Sequence, residues 1–172
     1  MRKRILPALL AAVCGLALFA GCGSAKSGPE AFISMCSSSD NTVVIKLGMS
    51  NDEFNVIFGA GKGGNVWLDN GLRGKWQDNT TLDKCVALIN LGLKYQTMAG
   101  LSLNNKIGDV LPMYQTDPDV KVLSNDTAKI VLQKQINGVN YNMAVRAYDD
   151  GTIKYITLYN ADLYTDNDAD YQ

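Results

Sequence analysis

The chain has 172 residues, of which 16 are basic and 17 are acidic, and it contains no histidine. This length suits one ordinary domain or two small, tightly joined halves. Without histidine the chain lacks the usual general base and the commonest transition-metal ligand, which argues against an enzyme. The formal net charge of −1, which becomes −4 without residues 1–21, argues against nucleic acid as a partner.

The beginning of the chain has the layout of a bacterial lipoprotein signal. The basic triplet Arg2-Lys3-Arg4 precedes an apolar run over residues 5–20, and Phe19-Ala20-Gly21-Cys22 resembles a lipobox. The run is shorter than the ~20 residues that a membrane span needs, which disfavours a transmembrane helix. We therefore predict a signal peptide over residues 1–21 and acylation of Cys22, whose lipid chains anchor the protein in the membrane.

Processing changes the charge of the chain. Removal of the 21 residues before Cys22 leaves 151 of the 172, and the basic residues fall from 16 to 13 against 17 acidic ones, a charge of −4. Such a chain is not expected to bind anionic lipid through a basic patch, so the acyl chains are the predicted membrane contact. The predicted location is extracytoplasmic, at the cell membrane or, in a Gram-negative host, at the outer membrane.

Two cysteines, Cys36 and Cys85, remain besides the acylated one. In an exported protein they are expected to form one disulfide, and the alternative is two free thiols with Cys85 in an apolar strand. Two cysteines without histidine do not make a zinc site, which takes four ligands. We predict no metal and no cofactor.

Two motifs imitate functional sites. The glycines of residues 59–64 match G-x-G-x-x-G, but they follow a predicted helix over Asn51–Phe58 and precede a predicted strand, which is the reverse of a dinucleotide fingerprint. The carboxylate pairs Asp117/Asp119 and Asp149/Asp150 lie among turn formers and are predicted to be solvated loops. We therefore predict no catalytic residue.

The mature chain is predicted to contain a tether, two repeats and a tail. Residues 22–41 are rich in serine and glycine and are predicted to be the acylated N-terminus and a flexible tether, although residues 31–35 are apolar enough to pack on the domain instead. Repeat 1 covers residues 42–96 and repeat 2 covers residues 97–160. Residues 161–172 are predicted to be an acidic tail.

The repeat has an offset of 56 residues and is centred on two short amphipathic helices. Ser50 and Glu53 predict a capping box for the first helix, and Asn104 or Asn105 is the expected N-cap of the second. The matching positions are Leu47 with Leu103, Glu53 with Asp109, Phe54 with Val110, Ile57 with Met113, and Phe58 with Tyr114.

Turn signals predict the strand pairing of the second half. Asn137-Gly138 favours a two-residue hairpin turn, and Asp150-Gly151 favours the next turn. The resulting register gathers apolar residues on one face and polar residues on the other, so we expect one face to be core and the other solvent. The predicted pairs are Ile136 with Val139, Lys134 with Tyr141, Leu132 with Met143, Ile130 with Val145, Val145 with Ile156, and Met143 with Leu158 on the apolar face, and Gln135 with Asn140, Gln133 with Asn142, Lys129 with Arg146, Arg146 with Tyr155, and Asn142 with Tyr159 on the polar face.

A third turn signal, Asn70-Gly71, predicts pairing of Asp69 with Leu72 and of Trp67 with Gly74. Trp76 then lies diagonal to Trp67 on the same face. Large aromatic residues are mostly buried, which favours the core for both tryptophans, but they are also enriched at interfaces, which favours a partner-binding patch.

The segment Gly48-Met49-Ser50-x-x-Glu53, preceded by Ile45-Lys46-Leu47 and closed by Phe58-Gly59, resembles the signature of the β-lactamase-inhibitor-like superfamily. That group includes the small lipoprotein of the outer-membrane β-barrel assembly machinery. Residues 97–102, followed by Gly108-Asp109-Val110 and Tyr114, resemble the second unit of tandem members. The resemblance implies tandem helix-plus-antiparallel-sheet units whose sheet presents a concave face to a protein. Asn104 and Gln115 replace expected glycines and no inhibitory loop is present in the sequence, so lactamase inhibition is not implied.

The expected fold is α+β, with two tandem helix-plus-antiparallel-strand repeats that form a mainly antiparallel sheet with helices on one face. The expected function is that of a membrane-anchored, non-enzymatic module that binds a protein or an envelope component. The candidate binding residues are Tyr155, Tyr159 and Arg146 on the polar face, together with Trp67 and Trp76. The alternatives are a structural spacer in envelope assembly and a carboxylate-dependent envelope hydrolase, which needs a cleft with two buried acidic groups.

Overall fold

The computed structural model describes residues 28–39, 44–58, 66–69, 72–77 and 85–165. The predicted signal peptide, Cys22, the glycines of residues 59–64 and residues 166–172 lie outside these ranges. Trp67, Trp76 and Cys85 are described by their backbone pairing only.

The described residues form two antiparallel sheets and two short α-helices. The helices are α1 (Asn51–Phe58) and α2 (Val110–Tyr114), and single 3-10 turns cover Pro29–Ile33 and Ile107–Asp109. The small sheet contains β1 (Ser34–Ser37), β2 (Val44–Lys46) and β6 (Tyr95–Thr97), with β1 in the middle. These elements confirm the predicted α+β class with mainly antiparallel strands.

The large sheet has seven strands in the order β3-β4-β5-β10-β9-β8-β7. Consecutive strands form hairpins on each side, and the two sides meet where β5 pairs with β10. The strands are β3 (Val66–Asp69), β4 (Leu72–Gln77), β5 (Cys85–Asn90), β7 (Lys121–Asn125), β8 (Lys129–Ile136), β9 (Val139–Ala147) and β10 (Ile153–Asn160).

The hairpin turn between β8 and β9 confirms the predicted register along its whole length, from the pair Ile136 and Val139 to the pair Lys129 and Arg146. Asn137 and Gly138 have φ values of 51° and 83°. Positive φ at both central residues is the requirement of a type I′ turn, whose twist matches that of the strands. The local chemistry of two residues therefore fixes the pairing of two long strands.

The other two predicted registers are also confirmed. Strands β9 and β10 pair Val145 with Ile156 and Met143 with Leu158, as predicted. The predicted two-residue turn at Asp150-Gly151 is wrong, because the Tyr148 N–H donates to the Thr152 carbonyl at 2.9 Å and so leaves three residues in the turn. The irregularity between Ile153 and Tyr155 then shifts the register by one residue and restores the predicted pairs. Strands β3 and β4 pair Asp69 with Leu72 and Trp67 with Gly74. The turn residues 70 and 71 lie outside the described ranges.

The predicted cap of α1 is confirmed, and that of α2 is wrong. The Ser50 N–H donates to Glu53 Oε2 at 2.8 Å, and the Glu53 N–H donates to Ser50 Oγ at 3.2 Å. In the second half Lys106, one residue beyond the predicted Asn105, is the N-cap of the 3-10 turn that leads into α2, and its N–H donates to Asp109 Oδ2 at 2.9 Å. The N-cap of α2 itself is Asp109, whose side chain makes no capping hydrogen bond to that helix. Asn105 is not the cap because its side-chain oxygen accepts the Ser102 N–H at 2.9 Å and so closes the preceding turn.

One apolar cluster joins the helices to the large sheet. Phe54 of α1, Val110 and Tyr114 of α2, and Phe32 of the first 3-10 turn all belong to it. The strands contribute the apolar positions of one sheet face, which are Leu72, Val86, Ile89, Ile130, Leu132, Ile136, Met143, Val145, Ile156 and Leu158.

Part of the predicted tether belongs to the packed domain. Phe32, Ile33, Met35 and Cys36 are at most 4% exposed. The Leu47 N–H donates to the Ile33 carbonyl at 3.0 Å, and the segment continues as the central strand of the small sheet. The structure therefore corrects the tether boundary and follows the alternative in which residues 31–35 pack on the domain, because four apolar side chains gain more from burial than the segment loses in flexibility.

No helix within the described ranges has both the length and the apolar character needed to cross a bilayer.

Substitution of Gly138 tests the turn that sets the sheet register. A Cβ atom at Gly138 meets no atom within 4 Å, so the cost of Gly138→Ala comes from the positive φ alone and is expected to be about 1 kcal/mol of unfolding free energy. Gly108→Ala is the matched control, because Gly108 is equally open and has no positive φ. Urea unfolding should show a lower midpoint for Gly138→Ala only, and equal midpoints would contradict the assigned turn.

Candidate functional site

The polar face is the side of the large sheet that points away from the main apolar cluster. Its described members come from β8, β9 and β10, where alternate residues point to this side. They are Lys129, Gln133, Gln135, Asn140, Asn142, Arg146, Tyr155, Thr157 and Tyr159.

Side-chain hydrogen bonds cross the strands of this face. Gln133 Nε2 donates to Asn142 Oδ1 at 3.1 Å, and Asn142 Nδ2 donates to the Tyr159 hydroxyl at 3.1 Å. One strand further along the sheet, the Thr157 hydroxyl donates to Asn90 Oδ1. These bonds orient the amides, so the polar groups are held in fixed positions rather than in water-exposed rotamers.

The centre of the polar face is buried, which corrects the prediction that this whole side faces solvent. Tyr159, proposed as an exposed binding residue, is 1% exposed and lies in a second apolar cluster with Leu88, Val131 and Ala144. Ala161 and Tyr164 pack against that cluster. The chain after β10 thus folds back onto the sheet, so the predicted tail does not start at residue 161.

Burial gives Tyr159 a structural role. It raises the pKa of the Tyr159 hydroxyl, while the Asn142 hydrogen bond and the charge of Arg146 act in the opposite direction. Loss of a buried aromatic side chain typically costs 3–5 kcal/mol. A Tyr159→Ala change would therefore report on unfolding rather than on binding, and Tyr159 is not a binding residue that can be tested by truncation.

Tyr155 and Arg146 remain at the accessible margin of the polar face. Both are half-buried, and they are cross-strand partners, as predicted. The Lys154 ammonium lies 5.0 Å from the centre of the Tyr155 ring. The two predicted site residues are therefore brought together, and the cationic Lys154 lies beside them.

The other predicted site residues are only partly described by the structure. Cys36 is buried and disulfide-bonded, while the Cys85 side chain lies outside the described residues, so the pairing of these two stays a prediction. The side chains of Trp67 and Trp76 also lie outside the described residues. Their backbones pair with Gly74 and Val86, on strands β4 and β5.

A cleft of about 380 Å³ lies on the opposite side of the sheet, between the first 3-10 turn and the C-terminal end of α2. Phe32, Met98 and Met113 form apolar walls, and Asp117, Asp119 and Lys134 supply charge. We define the cleft by these six residues.

Lys134 and Asp117 form an ion pair inside the cleft. Lys134 Nζ lies 2.5 Å from Asp117 Oδ2, and the side chains are 6% and 35% exposed. Burial raises the pKa of Asp117, but the hydrogen bond from Lys134, the N–H of Asp119 and the Lys134 charge outweigh it and hold that pKa below its ordinary value. Asp117 therefore lies in a turn but is partly buried and paired, which corrects the prediction that it belongs to a solvated loop.

The sequence contains a feature that indicates a buried ion pair at Lys134. Lys134 occupies a position of the apolar alternation Ile130, Leu132, Lys134, Ile136, and the predicted register placed it on the core face. A lysine there requires a buried acidic partner, since an unpaired buried charge is very costly. The identity of the partner was not readable, because Asp117 is 17 residues away in a turn.

Tyr114 makes the wall beside this pair rigid. Its ring lies 6.0 Å from that of Phe32 in an edge-to-face arrangement, and its hydroxyl donates to Thr97 Oγ1 at 2.8 Å. Burial raises the pKa of the Tyr114 hydroxyl, against the smaller opposite effect of the Thr97 hydrogen bond. The hydroxyl is thus a neutral structural donor at physiological pH.

The acidic groups of the cleft do not form the pair of buried acids that a carboxylate hydrolase needs. Asp117 is matched by Lys134, and Asp119 is exposed. Among the described residues no group of three or more acidic or cysteine side chains is placed to hold a metal ion. The cleft therefore combines one matched ion pair with one exposed carboxylate.

Comparison with known proteins gives no assignment: no family model matches the chain, and no curated protein or solved structure matches it significantly.

The ion pair of the cleft predicts that substitution of its two members lowers the free energy of unfolding by different amounts. Asp117→Asn leaves the Lys134 charge buried and should cost about 2 kcal/mol, whereas Lys134→Met removes the buried charge and should cost less. The double variant should resemble Lys134→Met. Urea unfolding of the three variants gives these values, and a larger loss for Lys134→Met would contradict the buried role of Lys134.

The same pair predicts a pH dependence. The folded-state pKa of Asp117 is lowered, so its contribution to stability is complete above the unfolded pKa of 3.8 and is lost as the pH falls through the lower folded pKa. Asp117→Asn should remove that part of the acid destabilisation, which unfolding curves between pH 5 and about pH 2 would measure.

Proposed function

We propose that this chain is an extracytoplasmic lipoprotein, acylated on Cys22, whose domain is a non-enzymatic module that binds a protein or an envelope component. The lipobox-like motif supports the anchor. The observation that carries the binding role is the ordered polar face, with Tyr155 and Arg146 half-buried at its margin. Tyrosine and arginine are the residue types most enriched at protein interfaces.

We also propose that the domain consists of two tandem repeats, as the β-lactamase-inhibitor-like resemblance implies. The strand order supports this, since β3-β4-β5 is followed by β10-β9-β8, the same series reversed. The turn residues Asn70 and Asn137 are 67 positions apart, as are the cross-strand partners Asn90 and Thr157 where the halves meet. Strand β7 lies between α2 and β8 and accounts for part of the difference from the helix offset of 56.

The arrangement of the helices is consistent with the proposed placement on one face. Phe54 from α1 and Val110 from α2 pack into the same apolar cluster, which also contains Leu132 and Ile156 from the large sheet. This placement leaves the polar face without a helix, among the described residues, and so leaves its accessible margin for a partner. The sheet is the surface through which members of the resembled group are expected to bind proteins.

Rigidity is the physical advantage of such a surface. On the same face, further along β9 from Arg146, the amides of Asn142 and its cross-strand partner Gln133 are already held by cross-strand hydrogen bonds, so a partner does not have to immobilise them. Ordering a flexible side chain at an interface costs about 0.5–1.5 kcal/mol, and preorganisation removes much of that cost. The polar face is thus a prepared binding surface rather than a solvated edge.

Acylation is tested by metabolic labelling with radioactive palmitate. The wild-type protein and a Cys36→Ala control should take up the label, and Cys22→Ala should not, because the thioether can form only on the lipobox cysteine. Incorporation of the label into the Cys22→Ala variant would contradict the proposal that Cys22 is the acylated residue.

Binding through the polar face is tested by placing the photo-crosslinker p-benzoylphenylalanine at position 155 or position 148 in cells. Tyr148 is the matched control, because it also lies near the Lys154 ammonium, at 5.5 Å, but belongs to the turn before β10. We expect adducts of discrete mass from position 155 and not from position 148. The Arg146→Ala variant should reduce the yield at position 155 by about 5-fold, in line with a contact worth about 1 kcal/mol. Equal crosslinking from both positions would contradict the proposed face.

A further inference from the structure

The cleft formed by Phe32, Met98, Met113, Asp117, Asp119 and Lys134 has the shape of a small ligand site. Its volume of about 380 Å³ falls within the usual range of binding pockets. It is independent of the polar face, because Lys134 points to the side of β8 opposite to Gln133 and Gln135. A ligand here would therefore add a second binding site to the domain.

The walls of the cleft are apolar and adaptable. Phe32 and Met98 are 3% and 8% exposed, and Met113 is half-buried. Methionine side chains are unbranched and polarisable, and they adjust to the shape of aliphatic or aromatic groups. Pro29 and Pro118 at the rim restrict the backbone of the two segments that face each other across the opening. These walls suit one large apolar side chain.

The charges at the cleft decide which polar group accompanies that side chain. The Lys134 ammonium is buried and matched by Asp117, so it offers little attraction to an anion. Asp119 is exposed at the same rim and forms no ion pair with any of the described residues. The rim thus carries one uncompensated negative charge, which favours a cation over an anion of the same shape.

We propose that the cleft binds a segment of a partner polypeptide in which an apolar residue is followed by a lysine or an arginine. The apolar side chain fills the space between Phe32, Met98 and Met113. The cationic group lies at the rim next to Asp119, while Lys134 and Asp117 keep their mutual pairing. The cleft therefore discriminates by charge as well as by fit.

The probes are three peptides that differ in one side chain: acetyl-Phe-Lys-amide, acetyl-Phe-Gln-amide and acetyl-Phe-Glu-amide. The protein is the full chain, isolated from its host and labelled with 13C at the methionine methyl groups. Addition of the lysine peptide should shift the methyl NMR signals of Met98 and Met113. The signals of Met35 and Met143, which are fully buried elsewhere in the core, should stay unchanged. A dissociation constant on the order of 1 mM is expected for so small a ligand.

The order of affinities is the main readout. The lysine peptide should bind about 5-fold more tightly than the glutamine peptide, and the glutamate peptide should be the weakest. Asp119→Asn should remove the preference for lysine, while Asp149→Asn, a charge change in an exposed turn away from the cleft, should keep it. Met113→Ala should weaken the binding of all three peptides by a similar factor.

Three results would overturn the proposal. They are equal affinity for the lysine and glutamate peptides, a lysine preference that survives Asp119→Asn, and shifts that miss both Met98 and Met113. A shift of these two signals by vesicles of phosphatidylethanolamine, with none by the peptides, would assign the site to a lipid headgroup and also count against a polypeptide ligand. Crosslinking at the polar face is read separately, so failure of one site does not imply failure of the other.

Discussion

Strands β5 and β10 hold the two halves of the domain together through their pairing. Each strand closes its own set of hairpins, and their three cross-strand pairs convert two small sheets into one of seven strands. The buried Thr157 hydroxyl donates to the half-buried Asn90 at this seam, and the Leu91 N–H donates to the Ile156 carbonyl at 2.9 Å. Without the pairing of β5 and β10, Ile89 and Leu158 would no longer lie side by side in the apolar cluster that also contains residues of both helices.

A sheet of this width is buried at its centre on both sides, and that shapes the two candidate binding surfaces. On one side the apolar strand residues share a cluster with Phe54 of α1 and Val110 and Tyr114 of α2, and the gap between α2 and the N-terminal 3-10 turn forms the cleft. On the other side Tyr159 and its neighbours are covered, and binding groups are confined to the margin around Tyr155 and Arg146. Each surface therefore combines a buried, fixed support with a small accessible polar part, which is the arrangement that favours specific recognition.

The sequence predicted the features that depend on neighbouring residues. Helix α1 and its Ser50–Glu53 cap, and the register set by Asn137-Gly138, follow from local hydrogen bonding and turn geometry. The pairs between β9 and β10 are also as predicted, but a longer turn and a β-bulge produce them. The sequence did not predict the burial of Tyr159 or the partner of Lys134. Exposure of a strand residue depends on what crosses the sheet, and in both cases the covering or pairing group comes from a distant part of the chain.

The same physical distinction separates what the sequence determined from what the tertiary structure decided. The hydrophobic pattern and the turn signals determined an α+β chain and the alternation of its strands between two sheet faces, and the lipobox-like motif predicts export. The tertiary structure decided that residues 29–37 belong to the domain, that Asp117 meets Lys134, and that only the margin of the polar face is accessible. Short-range hydrogen bonds and side-chain alternation are encoded within a few residues, whereas burial and ion pairing are set by packing between segments that the chain brings together only when it folds.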